Sequence, residues 1–397
     1  MLSLTPILSR ASIPKELFLQ IFDQTISVRT PSIRFHSVLT EMYQRFLLKS
    51  LDVAHPSIQL SLPQVGPENV DIVDGYGGSP FDLTRLVVSY TSTVRSHLLL
   101  HAGVLAQNGQ GILIVAPSMH GKTTLTLELL RRGFGFLSDE IAALSLADEQ
   151  IHPFPRSLVI RSGSLEMAGF GQLPTNLAAS KPTWLGKQII DAETLRPGSL
   201  HSTVPIRHIF FLHDDQPYES QSKRMQCEVA LRSEKPSCGL LLSSLSPALL
   251  RTIEDVDGLD SLTVGELDNQ PYLTIYAQDR PTVLQRIEVL CHKYQTDLMH
   301  LGYRPLHCPT FDGPVTLSCL SQGDAILLLL QQFLGGYHSA LLQNEFGNSP
   351  VRLSMMLARI IRHANCYRLR VGPLQEMADT IGEVVDGERW RLRCTVS

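Results

Sequence analysis

Five small or apolar residues in a row, Gly111, Ile112, Leu113, Ile114 and Val115, lead into a short polar, glycine-bearing stretch, after which leucines at 125, 127, 129 and 130 dominate. The run has the length of a buried strand, and the leucine pattern is helical, so this region predicts strand, loop, helix. A strand over 98–106 comes before it, joined through 107–111, where Asn108-Gly109 is a strong hairpin-turn signal. Upstream again, Asp82 is placed to cap a helix to about 95, with Leu83, Leu86, Val87 and Tyr90 on one face.

Downstream, Gly133 is placed as a helix C-cap, 134–137 reads as a short apolar strand that delivers Ser138, Asp139 and Glu140, and 141–146 continues as a further strand. Residues 147–205 carry proline-rich connections around 157–161, and 206–212 is a buried strand. The first 80 residues alternate short apolar stretches with proline and glycine breaks and contain one amphipathic helix over 37–51, which reads as a small α+β region. From 214 to 320 the chain is polar, punctuated by proline and serine, and is taken as an inserted accessory region. The end returns to helices over 323–334, 350–363 and 372–384, with a strand over 366–371. The expected organisation of this α/β chain is 1–80, 81–213, 214–320 and 321–397, the last part completing the core begun at 81.

Composition narrows the classes. The chain has 397 residues, 43% of them hydrophobic and only 18% charged, with a net charge of −4, so a large core is available and neither a nucleic-acid nor a membrane partner is expected. The apolar run 325–330 is far short of the ~20 residues that span a bilayer. The N-terminus shows no signal-peptide pattern. Seven scattered cysteines contain no C-x-x-C pair, which supports neither a disulfide framework nor a zinc site, and a cytoplasmic location is expected. The pairs Cys291-His292 and His307-Cys308 lack a second pair at ligand spacing and read as incidental or buried.

The loop is where the chemistry concentrates. Ala116, Pro117, Ser118, Met119, His120, Gly121, Lys122, Thr123 and Thr124 fit G-x-x-x-x-G-K-[ST] except at the first position. Such a loop turns backbone N–H groups toward a polyphosphate, its lysine reaches the β/γ oxygens, and its hydroxyl meets Mg²⁺ at the positive end of the helix. ATP with Mg²⁺ is the expected ligand set, and Met119 and His120 are bulky for the crown of the loop. Phosphoryl transfer also needs carboxylates, and Asp139 and Glu140 follow the helix by one strand. Arg156 and Arg161 come one strand and loop later, where a fixed charge suits a transferring phosphoryl group or, equally, a strand edge.

Three segments together, His101-Ala-Gly-Val-Leu, the loop and helix from Ala116, and Arg132-Gly-Phe-Gly-Phe-Leu-Ser-Asp-Glu140, resemble the core of the HPr kinase/phosphorylase superfamily, which shares its nucleotide site with phosphoenolpyruvate carboxykinase. They are most similar to HPr-kinase-related proteins of bacterial biosynthetic gene clusters, some of which modify precursor peptides. The resemblance covers about 98–165, extends weakly to 365–374, and leaves out 214–320. It implies a P-loop kinase core and a serine hydroxyl of a peptide or protein as acceptor. His101 matches the family's active-site histidine, Lys122 and Thr123 its phosphate and metal residues, and Asp139 with Glu140 its acidic pair. Arg161 is counted with the catalytic set. Val159 stands where true HPr kinases have a metal-binding glutamate. Asp139 is assigned to metal and Glu140 to the acceptor, an assignment that can be exchanged. Two other functions stay open, a catalytically weak nucleotide-binding regulator or scaffold and a small-metabolite kinase. A homo-oligomer is compatible with the sequence, which does not fix the oligomeric state or the direction of the reaction.

Overall fold

The computed structural model describes residues 15–30, 33–49, 55–61, 80–116, 120–160, 162–171, 183–184, 187–214, 237–242, 244–267, 270–277, 280–296, 298–301, 311–334 and 339–387. It is a mixed α/β chain with five sheets among these residues. The sheet that carries the loop has six strands in the order Leu317–Cys319, Asn365–Arg370, Ile206–His213, Gln110–Val115, Gly103–Gln107, Gly135–Ser138. Its three middle members, Asn365–Arg370, Ile206–His213 and Gln110–Val115, run parallel. Parallel strands are covered on both faces, which is why 111–115 and 209–212 read as unbroken apolar runs rather than alternating ones.

Side chains alternate between two cores. Leu113, Val115, Ile209 and Phe211 pack with Leu329 of the helix Gln322–Leu330 and Leu357 of the helix Pro350–Ile361. Ile112, Ile114, Phe210 and Leu212 pack with Leu125 and Leu129 of the helix Lys122–Arg131 and with Met377 and Ile381 of the helix Leu374–Val385. The hairpin forms as its sequence demands, because Asn108 and Gly109 take φ of 52° and 70°, the left-handed pair that joins antiparallel strands tightly.

The expected strand over 98–106 is two strands in two sheets. His97–His101 pairs with Ile141–Ser145 in a second sheet, and the chain enters the first one only at Gly103–Gln107. Ala102 is the crossing point, and its N–H is held by the Glu140 carbonyl at 3.1 Å. The N-terminal helix also differs from expectation, spanning Ile33–Met42 before a short 3-10 turn, Gln44–Phe46, in place of 37–51. The apolar residues of this helix and of the strands Lys15–Ile21 and Gln24–Thr30 share one core across residue 80, since Leu19, Ile26, Phe35 and Leu39 pack with Leu86, Tyr90, Leu99, Ile141 and Phe154. The helix expected to start at Asp82 spans Pro80–Thr93.

Part of the accessory region is a compact unit with its own core. Strand Ser237–Leu242, helix Pro247–Glu254, strands Ser261–Leu267 and Gln270–Tyr276, helix Arg280–Lys293 and strand Leu298–Leu301 follow one another. The strands form an antiparallel sheet with Gln270–Tyr276 and Ser237–Leu242 in the middle. This is the split β-α-β arrangement, and Leu240, Leu242, Leu249, Ile253, Leu273, Ile275, Val283 and Ile287 fill its interior. Cys291 lies buried in the same interior. The cysteine expectation is corrected at one position, because Cys319 is disulfide-bonded. Spacing along the chain could not show this, since a disulfide depends on which cysteines the fold brings together. No helix among the described residues is long and apolar enough to cross a membrane.

His208, on the central strand, makes the fold sensitive to acid. Burial, with a smaller contribution from Arg207, lowers its pKa to about 4. Its Nε2 is 2.9 Å from Gln110 Oε1, and its Nδ1 meets no hydrogen-bond partner among the described residues. The unfolded chain takes up a proton near pH 6.5 while the folded one refuses it until about 4, so this stability is present above pH 6.5 and is lost as pH falls through that window. Urea unfolding of His208→Gln against the parent is the check. The parent is expected to lose about 2 kcal/mol more than the variant between pH 7 and pH 5.

Candidate active site

The strand Gln110–Val115 ends in the buried Ala116, and the chain re-enters the described region at His120. Gly121 then takes φ 78°, ψ 10°, and starts the helix Lys122–Arg131 with no side-chain cap and no acidic residue in the first turn. Ordinary helices place Ser, Thr or Asp there to occupy the first N–H groups. A helix start without either leaves those donors and the positive end of the dipole for an anion, which is the property the sequence pattern asks for. Gly103 lets the neighbouring strand come close beneath this turn, since a Cβ on it would lie 2.9 Å from Thr126 Oγ1, 3.6 Å from Lys122 Cγ and 3.7 Å from the Asp139 carbonyl oxygen. Thr123 and Thr124 are half-buried in the first turn.

His120 is not loose on the crown. It is buried, and its Nε2 lies 3.4 Å from Asp214 Oδ2, where the adjacent parallel strand Ile206–His213 ends. The segment after the split β-α-β unit comes back to the same edge. Phe311 sets its ring where a Cβ on Gly121 would be 3.1 Å from a ring carbon, and Arg370 donates to the Pro314 carbonyl at 2.8 Å. Thus the C-terminal ends of the three parallel strands carry the loop, Asp214 and Arg370, the edge at which open α/β sheets bind their ligands. Neither Asp214 nor Phe311 stands out in sequence, and only parallel pairing identifies the first.

The acidic pair occupies a tight turn between Gly135–Ser138 and Ile141–Ser145. Ser138 Oγ accepts from the N–H of Glu140 at 3.3 Å and of Ile141 at 3.0 Å, which holds the two acids in a hydroxyl-closed turn. Asp139 is 5% exposed, while the Glu140 side chain is 46% exposed. Burial raises the Asp139 pKa to about 6 and Glu140 pushes it the same way, against Arg156 and Lys122. Asp139 and Lys122 are therefore in electrostatic contact across the start of the helix. His101 ends its strand directly opposite Ile141, with its N–H on the Gln332 carbonyl at 2.8 Å, so it stands beside the acidic turn.

The arginine that reaches this turn is Arg156. It is 6% exposed and its Nη2 donates to Glu140 Oε2. Burial disfavours its charge, but Glu140, Tyr43, Asp139 and Tyr90 together hold its pKa well above the ordinary value. The sequence weighs Arg156 beside Arg161 and assigns only Arg161 to catalysis. The apolar Phe154 just before Arg156, fully buried, is the signal that this loop faces inward. Arg161, Pro117, Ser118 and Met119 lie outside the described residues.

No family model matches this chain, and no curated protein does. Among solved structures, the Hpr(Ser) kinase/phosphatase from Coxiella burnetii is similar at 15% sequence identity and a TM-score of 0.21, over 50% of this chain and 96% of that one.

Proposed function

We propose that this chain is an ATP- and Mg²⁺-dependent kinase that phosphorylates a hydroxyl, that of a serine in a peptide or protein. The observation that carries the reading is one constellation. A glycine-started helix with no side-chain cap and no acid in its first turn faces a buried aspartate, with a second carboxylate beside it. The His101 and Lys122 positions, and the resemblance of 98–165, support the same class.

The donors fit a magnesium nucleotide. Mg²⁺ is held by one or two carboxylates together with phosphate oxygens and water, and Thr123 with Asp139 supplies such a partial set. Bound there, the metal would neutralise charge on the phosphates. The chain does the remaining work. Gly121 and the first turn present N–H groups to the phosphates, and Lys122 places a cation beside them. Glu140 orients the acceptor hydroxyl and takes its proton as the acceptor oxygen gains the γ-phosphoryl group and ADP leaves. His101, beside the turn, is assigned to the acceptor side.

A second reading, nucleotide binding without transfer, rests on the departure of the loop from the phosphate-loop pattern at Ala116 and on the bulk of Met119. One experiment separates the two. The protein is incubated with Mg-ATP and with peptides encoded beside its gene, and mass spectrometry looks for one added phosphoryl group. Transfer is the expected result, and nucleotide binding with no transfer to any hydroxyl establishes the regulator.

The split β-α-β unit at 237–301 is proposed as the acceptor-recognition part. Gly121, Lys122, the acidic turn and Arg156 all lie outside it. Replacing the unit by a short flexible linker is expected to leave ATP binding in place and to remove turnover of the native acceptor. Full turnover after the replacement would make the unit structural only.

A further inference from the structure

Arg156 sits on the loop between the strands Ile151–His152 and Leu158–Ile160, and the N-terminal region grips that loop from both sides of the arginine. Phe154, two residues before it, lies 4.7 Å from the Phe46 ring centroid and 5.9 Å from those of Phe22 and Tyr90. Ser157, directly after it, gives its N–H to the Met42 carbonyl at 3.0 Å and its hydroxyl to the Glu41 carbonyl at 2.7 Å. Gln44 Nε2 reaches Ser157 Oγ at 3.1 Å. All of these partners except Tyr90 come from residues 22–46.

The guanidinium so placed has counter-charge from Glu140 and Asp139. Tyr43 and Tyr90 also act on it, two buried phenols with hydroxyl oxygens 3.5 Å apart. A buried cation costs several kcal/mol unless well paired, so this arrangement is strongly specified. A pair meant only to stabilise a core has no need of a half-exposed carboxylate. Here the buried arginine ends on Glu140, the acid that reaches toward solvent.

We propose that Arg156 is a positioning residue for phosphoryl transfer: held by the N-terminal region, it fixes the Glu140 carboxylate in its orientation toward the acceptor. The inference rests on the kinase reading and adds to it that Phe22, Glu41, Met42, Gln44 and Phe46 back the active site through the Arg156 loop. Transfer through a loose transition state depends on placement more than on covalent chemistry, so a carboxylate that swings freely loses rate while nucleotide binding is untouched.

The test compares Arg156→Gly, Arg156→Lys and Ser157→Ala with the full-length parent for ATP affinity, acceptor KM and kcat, with and without added guanidinium ion. Arg156→Gly is expected to lower kcat about 10²-fold with ATP affinity within about twofold of the parent. Added guanidinium is expected to restore about tenfold of the loss by re-entering the vacated site, and Arg156→Lys to retain part of the rate as a point charge without the fork. If Arg156→Gly fails to fold, Arg156→Lys and Ser157→Ala carry the test, each with a fall in kcat and no change in ATP affinity. An unchanged kcat in folded variants overturns the proposal and leaves the kinase reading intact. So does a fall in ATP affinity equal to the fall in kcat, or an inactive Arg156→Gly that guanidinium leaves inactive. A parent enzyme with no transfer at all removes the kinase reading, and the positioning role with it.

Discussion

Replacement of Lys122 by alanine is expected to abolish measurable ATP binding at ordinary concentrations. The side chain follows the left-handed Gly121 directly and stands opposite Asp139. Charge-assisted hydrogen bonds are worth roughly 1.5–3 kcal/mol each, so the loss of an ammonium that meets two phosphate groups weakens affinity by about 10²-fold or more. Asp139 also loses one of the two cations that oppose its burial, which leaves its ionised form harder to reach and compounds the effect on any metal it holds. Titration calorimetry with Mg-ATP reads the result. Undiminished affinity in Lys122→Ala would remove the phosphate-loop assignment.

Glu140→Gln separates chemistry from binding. The substitution keeps size and most hydrogen-bonding capacity but withdraws the charge that accepts the acceptor's proton. General-base assistance contributes about 10²–10⁴ in rate, and transfer is expected to fall by that factor with ATP affinity little changed. Arg156 then faces a neutral amide while 6% exposed, so some loss of stability accompanies the variant, and a thermal melt has to confirm that it is folded at the assay temperature. Asp139→Asn should act differently, by raising the Mg²⁺ concentration needed for half-maximal rate. If Glu140→Gln keeps full turnover while Asp139→Asn loses it at every Mg²⁺ concentration, the two roles are exchanged.

Much of the parallel core was legible because its signals are local. The apolar runs at 111–115 and 209–212, the Asn108-Gly109 turn and the Gly121-Lys122-Thr123 start each fix their own conformation within a few residues. The change of sheet at Ala102 was not legible, since 98–106 is apolar but for His101 and only pairing with Ile141–Ser145 on one side and Gln110–Val115 on the other divides it. The unit at 237–301 did carry signals. Ser246 caps the helix that begins at Pro247, and Leu249 and Ile253 share its inner face, but its strands are short and their pairing is non-local. In the candidate site, Lys122, Asp139 and Glu140 are close in sequence, and the sequence names them as candidates through local motifs. Arg156 and Asp214 reach the site through long-range packing, which no spacing rule reveals.

The shared apolar core across residue 80 governs how the protein can be cut. A clone trimmed to the motif-bearing stretch, beginning near residue 95, would strip Leu19, Phe35, Leu39, Leu86 and Tyr90 from Leu99, Ile141 and Phe154. The bared surface is a contiguous greasy patch of the kind that drives aggregation. Such a fragment would precipitate on expression even though every residue of the phosphate loop is in it, and its insolubility would say nothing about whether the full chain binds nucleotide.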